Sequence, residues 1–335
     1  MTSGLARSSI AICVPVRDEA AALPHLFEAV EALVLPAGGT LTLCLLLDGC
    51  RDDSARVAER YRSVARPRVH LAEVERGMPN AGLARRRAMA MAGGADIILT
   101  TDADSRPAPD WVEAMLAGLA RADVVAGRVV REGGVASLLQ DRVERYYDAL
   151  FALRRVLDPV GWEAPVTHHH ASGANLGVRG CVYRTLGGFA PLASGEDARF
   201  VDDAGRGGWR VRRDAGAVVR TSARRDGRAE GGLAHMLRAL DRGSGVEVAH
   251  PADAAWQYRM QAAARGAFRD GTIDARTVPI GLTTDHLIGV ARDCPNAEAF
   301  AMRVVPVPPG GMRPVALALA EVELAKLSDA QAVAA

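Results

Sequence analysis

The chain has 335 residues, enough for one large α/β domain with an appendage or for two domains. Hydrophobic residues make up 49% and charged residues 24%, a balance that suits a globular core, and a formal net charge of +1 offers no overall field to nucleic acid or to an anionic membrane. No apolar run reaches the length of a membrane span, and the opening residues lack the apolar stretch of a signal peptide, so a cytoplasmic chain is expected. The five cysteines (Cys13, Cys44, Cys50, Cys181, Cys294) have no paired metal spacing and read as reduced, mostly structural thiols.

Ser9 to Val16 is a continuous apolar strand, and Glu19 to Leu35 then sets Ala22, Leu26, Ala29, Val30 and Leu33 at helical spacing. Leu41 to Leu47 and Val69 to Ala72 are further strands, followed by helices over about Asp53–Val64 and Ala81–Ala92. A fourth apolar run, Ala95 to Thr100, stops at Thr101-Asp102-Ala103-Asp104-Ser105, and a helix follows from Pro107-Ala108-Pro109-Asp110-Trp111. Repeated βα units of this length predict a mostly parallel sheet covered by helices on both faces, with ligands at the carboxyl ends of the strands.

Later elements are a long amphipathic helix over about 135–157 and the last strands of the domain, from Trp209 onward, leading into a basic exit loop that ends at Arg228. The first unit is placed at 1–227 and a mainly helical C-terminal extension at 228–335. The extension shows helical patterns around Leu233–Leu240 and Ala254–Ala264, a Pro/Gly-rich stretch from Val304, and a final helix over Pro314–Leu327. The amphipathic helix suits burial on its own domain, packing toward an acceptor, or a homodimer interface.

The strand ends carry the chemistry. Asp102 and Asp104, at i and i+2 just past a strand, can share one hard divalent cation, magnesium or manganese, whose other positions go to water and phosphate oxygens. Asp48 ends the run Leu45-Leu46-Leu47 and is followed by Gly49, which permits a tight turn and close ligand approach. Asp18, Asp52 and Asp53 have a simpler reading as helix caps. His168-His169-His170 reads either as an exposed loop or as a contact for acceptor, metal or phosphate.

Together, Pro15-Val16-Arg17-Asp18-Glu19 and Asp48-Gly49-Cys50-Arg51-Asp52 resemble the Pro-x-x-Asn-Glu and Asp-Gly-Ser-x-Asp strand ends of family 2 glycosyltransferases, inverting enzymes of the GT-A nucleotide-diphospho-sugar transferase fold. The resemblance covers roughly residues 8 to 225 and continues through Gly173-Ala174-Asn175, Gly187-Gly188-Phe189 and Glu196-Asp197, in that order. It implies a nucleobase pocket lined by Pro15, Arg17, Glu19 and Asp48, and donor contacts from Asn80, Arg85, Asp102 and Asn175. It also implies Asp197 as the base that takes the proton of an acceptor hydroxyl, with Glu196 orienting the loop or binding acceptor hydroxyls; an attacking hydroxyl needs such a base because its own pKa lies far above neutral. The activity expected is metal-dependent, inverting transfer of a single sugar from a nucleotide-diphosphate-sugar to a hydroxyl acceptor, since the Gln-x-x-Arg-Trp signature of processive members is absent. Two alternatives share the architecture. A nucleotidyltransferase would need a Gly-rich phosphate loop after the first strand, and a non-catalytic nucleotide-sugar binding module would have lost part of the acidic set.

Overall fold

The computed structural model describes residues 8–75, 77–133, 137–224 and 245–334. Strand β1 (Ser9–Val16) lies at the centre of an eight-stranded sheet, paired in parallel with β2 (Thr40–Asp48) on one side and β4 (Ile97–Thr100) on the other. Beyond β2 comes β3 (Arg68–Val74), also parallel. Beyond β4 come β7 (Leu176–Arg179), β6 (Val124–Glu132), β8 (Val211–Ser222) and the short β5 (Ser105–Pro107); of these pairings only β6 with β8 is parallel. The continuous parallel run is therefore β3-β2-β1-β4, and the ends of three of these strands, β1, β2 and β4, were singled out from the sequence.

The unbroken apolar runs of β1 and β2 arise because both faces of the sheet are covered. Ile10, Ile12, Val14 and Val16 pack with α1 (Leu23–Glu31), α2 (Ser54–Arg62) and α4 (Trp111–Leu119). The alternate residues Ala11 and Cys13, with Cys44 and Leu46, pack with α3 (Ala81–Ala90), α6 (Gly180–Thr185) and α7 (Glu196–Arg206). The two-residue period of the strand thus sorts the side chains into two separate cores. Helix α1 begins at Leu23, four residues later than its periodicity suggested, because Pro24 sets the first helical turn and Glu19–Ala22 form a tight turn at the strand end.

A third core joins α5 (Leu138–Leu157) to the chain beyond 245. Val143, Tyr146, Leu150 and Leu153 meet Val248 of β9 (Glu247–Ala249), α8 (Pro251–Asp270) and α11 (Leu317–Ala334). A fourth gathers α8, α9 (Thr284–Arg292) and α10 (Ala297–Val304) around the buried Phe300. The last helix starts at Leu317, not Pro314, since Pro314–Ala316 form a strand, β10, paired antiparallel with β9. The pattern around Leu233–Leu240 lies outside the described residues, as does most of the basic exit loop. No helix among the described residues is long and apolar enough to cross a membrane.

Candidate active site

The ends of β1, β2 and β4 open into one crevice of about 520 Å³, closed on its other sides by α3, α5, the loop before β7 and the start of α7. At the end of β1, Asp18 adopts a left-handed backbone (φ 55°), a conformation Asp tolerates better than most residues. Its carboxylate accepts the Arg51 N–H at 2.6 Å, Asp52 accepts the Ala20 N–H at 2.9 Å, and the Ser54 hydroxyl accepts the Glu19 N–H at 2.8 Å. These bonds lace the β1 and β2 loops together and hold Glu19 and Asp48 against the crevice. Asp18, Cys50 and Asp52 lie close enough to share a cation. Their oxygens already serve the two backbones, however, and burial pushes the Cys50 thiol above its ordinary pKa, so the trio fits loop lacing. Gly49 turns with φ 60°, as the strand end requires. Arg17 reaches Asp48 at 3.1 Å and donates to the Gly77 carbonyl at 2.7 Å.

Arg85 is the hub. It rises from α3, 6% exposed, and donates to Asp102 (2.9 Å), Glu196 (3.2 Å), the Thr100 hydroxyl (3.0 Å) and the Gly173 carbonyl (2.8 Å). Burial opposes its charge, but Asp102, Glu196 and Asp197 outweigh burial and hold it protonated. Glu196 is itself pushed above the ordinary carboxylate range, by burial first and by neighbouring Asp197. Asp197, in the first turn of α7, accepts the Gly173 N–H at 3.0 Å and the Ala198 N–H at 2.7 Å. Its carboxylate is thereby fixed at the start of the helix.

Opposite lies Asp104. Burial and the charge of Asp102 push its carboxyl up to about 6, against the pull of Arg224 at 3.2 Å. Arg224 also holds Glu19 through both terminal nitrogens, 2.7 Å for the Nη1 contact. The crevice is lined by seven carboxylates and four guanidiniums among the described residues. Asp102 and Asp104 are oxygen donors of the kind magnesium and manganese prefer.

Ten of the eleven anticipated site residues line this crevice: Pro15, Arg17, Glu19, Asp48, Asn80, Arg85, Asp102, Asp104, Glu196 and Asp197. Asn175 does not, which corrects the expectation of a donor contact. It is fully buried, accepts the Trp111 indole N–H at 2.7 Å, and donates to the carbonyls of Arg128 (2.8 Å) and Ala217 (2.9 Å). There it bridges the irregularity in the β6–β8 register after Gly127, a backbone defect that no side-chain pattern announces. Asn80 lies on the wall, but its amide is committed to capping α3 through the Leu83 N–H (2.8 Å) and to the Pro191 carbonyl (3.0 Å).

The three histidines divide. His168 is wholly buried with Nε2 on the Ala126 carbonyl, and burial pushes its pKa down to about 3. His169 and His170 line the crevice, beside Val129 and Arg131 of β6 and Gln140 and Glu144 of α5. The amphipathic helix and the basic loop that carries Arg224 were both read from the sequence, but Gln140 and Glu144 were not: an amphipathic pattern says which face is buried, and nothing about what its polar edge borders.

Residues 11–175 match the model of the family described as glycosyl transferase family 2. In fold, the chain is similar to S. aureus TarS residues 1–349 in complex with UDP-GlcNAc, at 15% identity over 89% of this chain and 90% of that one, with a TM-score of 0.52. It is also similar to the mannosyltransferase PcManGT from Pyrobaculum calidifontis in complex with GDP-Man and Mn2+, at 16% identity over 98% and 76%, with a TM-score of 0.52. No curated protein matches the chain. The matched segment contains the ends of β1, β2 and β4 that build the crevice, and residues 11–175 are a glycosyl transferase family 2 domain, with the GT-A fold.

Proposed function

We propose that the chain transfers one sugar from a nucleotide-diphosphate-sugar to a hydroxyl acceptor with inversion, using Mg2+ or Mn2+ held by Asp102 and Asp104 and Asp197 as general base. The observation that carries this reading is the single crevice in which the β4 carboxylate pair and the anchored carboxylate of Asp197 both lie. A bound cation would neutralise the diphosphate as it leaves. On the donor side, Pro15, Arg17 and Asp48 form the wall nearest the nucleobase, and Arg224 is placed to pair with diphosphate oxygens when a cation takes over Asp104. On the acceptor side, Asp197 takes the hydroxyl proton, and Glu196, tied to Arg85, keeps the start of α7 in position. The bound UDP-GlcNAc of TarS and the GDP-Man and Mn2+ of PcManGT support a nucleotide-sugar and a divalent cation as the ligands.

The test begins with thermal stabilisation by a panel of nucleoside diphosphates and nucleotide-sugars, each with and without Mn2+, since a ligand bound only to the native state raises stability by mass action. A cation-dependent shift with one nucleotide is expected. Asp197→Asn should keep that shift and lose transfer by about 10²–10⁴-fold. No shift with any nucleotide, or near-normal transfer by Asp197→Asn, would overturn the assignment.

A further inference from the structure

Resting on that reading, we infer that the wall formed by β6, α5 and the histidine loop is an acceptor subsite for a neutral, hydroxyl-rich molecule, a sugar or polyol, and not for a phosphorylated or carboxylated one. The argument begins with which hydrogen bonds on the wall are already made. Gln140, 2% exposed, donates through Nε2 to Glu144 at 3.1 Å; because a carboxylate only accepts, this fixes the amide orientation, and the buried Oε1 is left without a partner among the described residues. His169 Nδ1 lies 2.8 Å from Asp148, again an acceptor, so its N–H is spent there and Nε2 remains for a ligand. His170, which burial keeps neutral, has a buried Nδ1 that meets no partner. Buried polar groups are ordinarily satisfied, and two of the seven unmet side-chain atoms among the described residues, Gln140 Oε1 and His170 Nδ1, belong to residues of this one wall.

Charge then chooses the ligand. The guanidiniums that meet this wall's carboxylates are both committed, Arg131 to Asp141 and Glu144 and Arg128 to Asp148, so three carboxylates face two cations; Arg213, stacked on Phe151 of α5, is partly buried and does not line the crevice. No described cation on the wall is left to receive an anion. The Gln140 oxygen, the His169 ring nitrogen and the Glu144 carboxylate are acceptors, which hydroxyl groups satisfy by donating. A phosphate or carboxylate would bring only further acceptors and negative charge.

The experiment uses the full chain with Mn2+ and the donor found by thermal stabilisation, and follows nucleoside diphosphate release above the acceptor-free rate. The probes are matched pairs at equal concentration: glycerol and glycerol 3-phosphate, glucose and glucose 6-phosphate, myo-inositol and its 1-phosphate. A neutral member should raise release, with KM at least tenfold below that of its phosphate. Gln140→Ala and His169→Ala should each raise that KM about tenfold, the value of one lost hydrogen bond, with nucleotide affinity retained. Preference for a phosphorylated member, response to neither member of any pair, or wild-type KM in both variants would overturn the inference while leaving the donor reading standing. Absence of nucleotide stabilisation in the wild-type chain would strike the donor reading and this inference together. The wild-type panel decides even where a variant fails to fold.

Discussion

Arg85 is the side chain whose loss should be felt furthest. Arg85→Met keeps most of the volume and so adds little cavity cost, but it removes the cation between Glu196, whose side chain is 5% exposed, and Asp102, 37% exposed. Breaking a buried ion pair by deleting one partner costs about 3–5 kcal/mol, because the surviving charge is left uncompensated. Nearly all of that should come from Glu196, since Asp102 has water to fall back on. Urea unfolding at pH 7 should therefore show about 3–5 kcal/mol for Arg85→Met alone and only about 1–2 kcal/mol when the same change is made in a Glu196→Gln background. A loss under about 1 kcal/mol, or one indifferent to Glu196→Gln, would mean that the guanidinium does not bear the charge of Glu196, and its place as the hub would fall.

Three further outcomes follow from contacts away from the donor. Gly82→Ala would put a Cβ 2.0 Å from the Ala190 carbonyl oxygen, so it should cost about 3 kcal/mol in urea melts and, by shifting α3, weaken nucleotide-dependent stabilisation. Trp111→Phe strands the Asn175 carbonyl oxygen in the interior and should cost about 1–3 kcal/mol with nucleotide affinity unchanged; a large change in that affinity would return Asn175 to the donor site. Asp148 is held down to about 2: burial alone would raise it, but the His169 ring and backbone N–H and the Arg128 charge prevail. A depressed carboxyl stabilises the fold above its unfolded pKa and loses that contribution as pH falls through the folded value, so Asp148→Asn should be less stable than wild type at pH 6 and the gap should close between about pH 4 and pH 2. A gap that persists at pH 2 would count against the pairing with His169.

The half of the molecule around β1 to β4 was legible because its strands are buried on both faces and end in carboxylates, so one apolar run and the polar residue that stops it locate both an element and a piece of the crevice. Asp102 and Asp104 could be found in this way, whereas Asp197, in the first turn of α7, was reached only through the family resemblance. The resemblance picked out Arg85 as well, but not its office: a guanidinium expected to contact the donor spends four hydrogen bonds on its own protein. Asn175 misled for a related reason, because a polar residue beside a crevice and one plugging a backbone irregularity beneath it have the same neighbours in sequence. Gln140 and Glu144 were invisible because their role depends on how α5 rotates against cores contributed from more than a hundred residues away.

That helix gives the molecule a divided inheritance. Its apolar face belongs to the core made with β9, α8 and α11, while its polar edge borders a crevice whose remaining walls rise from the two cores that flank the central sheet. Substitutions that repack the C-terminal helices can tilt or slide α5, and with it Gln140 and Glu144, without disturbing Arg17, Asp48 or the Asp102–Asp104 pair. Under the function proposed above, such an arrangement lets the wall assigned to the acceptor change by drift in the C-terminal helices while the wall assigned to the donor stays fixed.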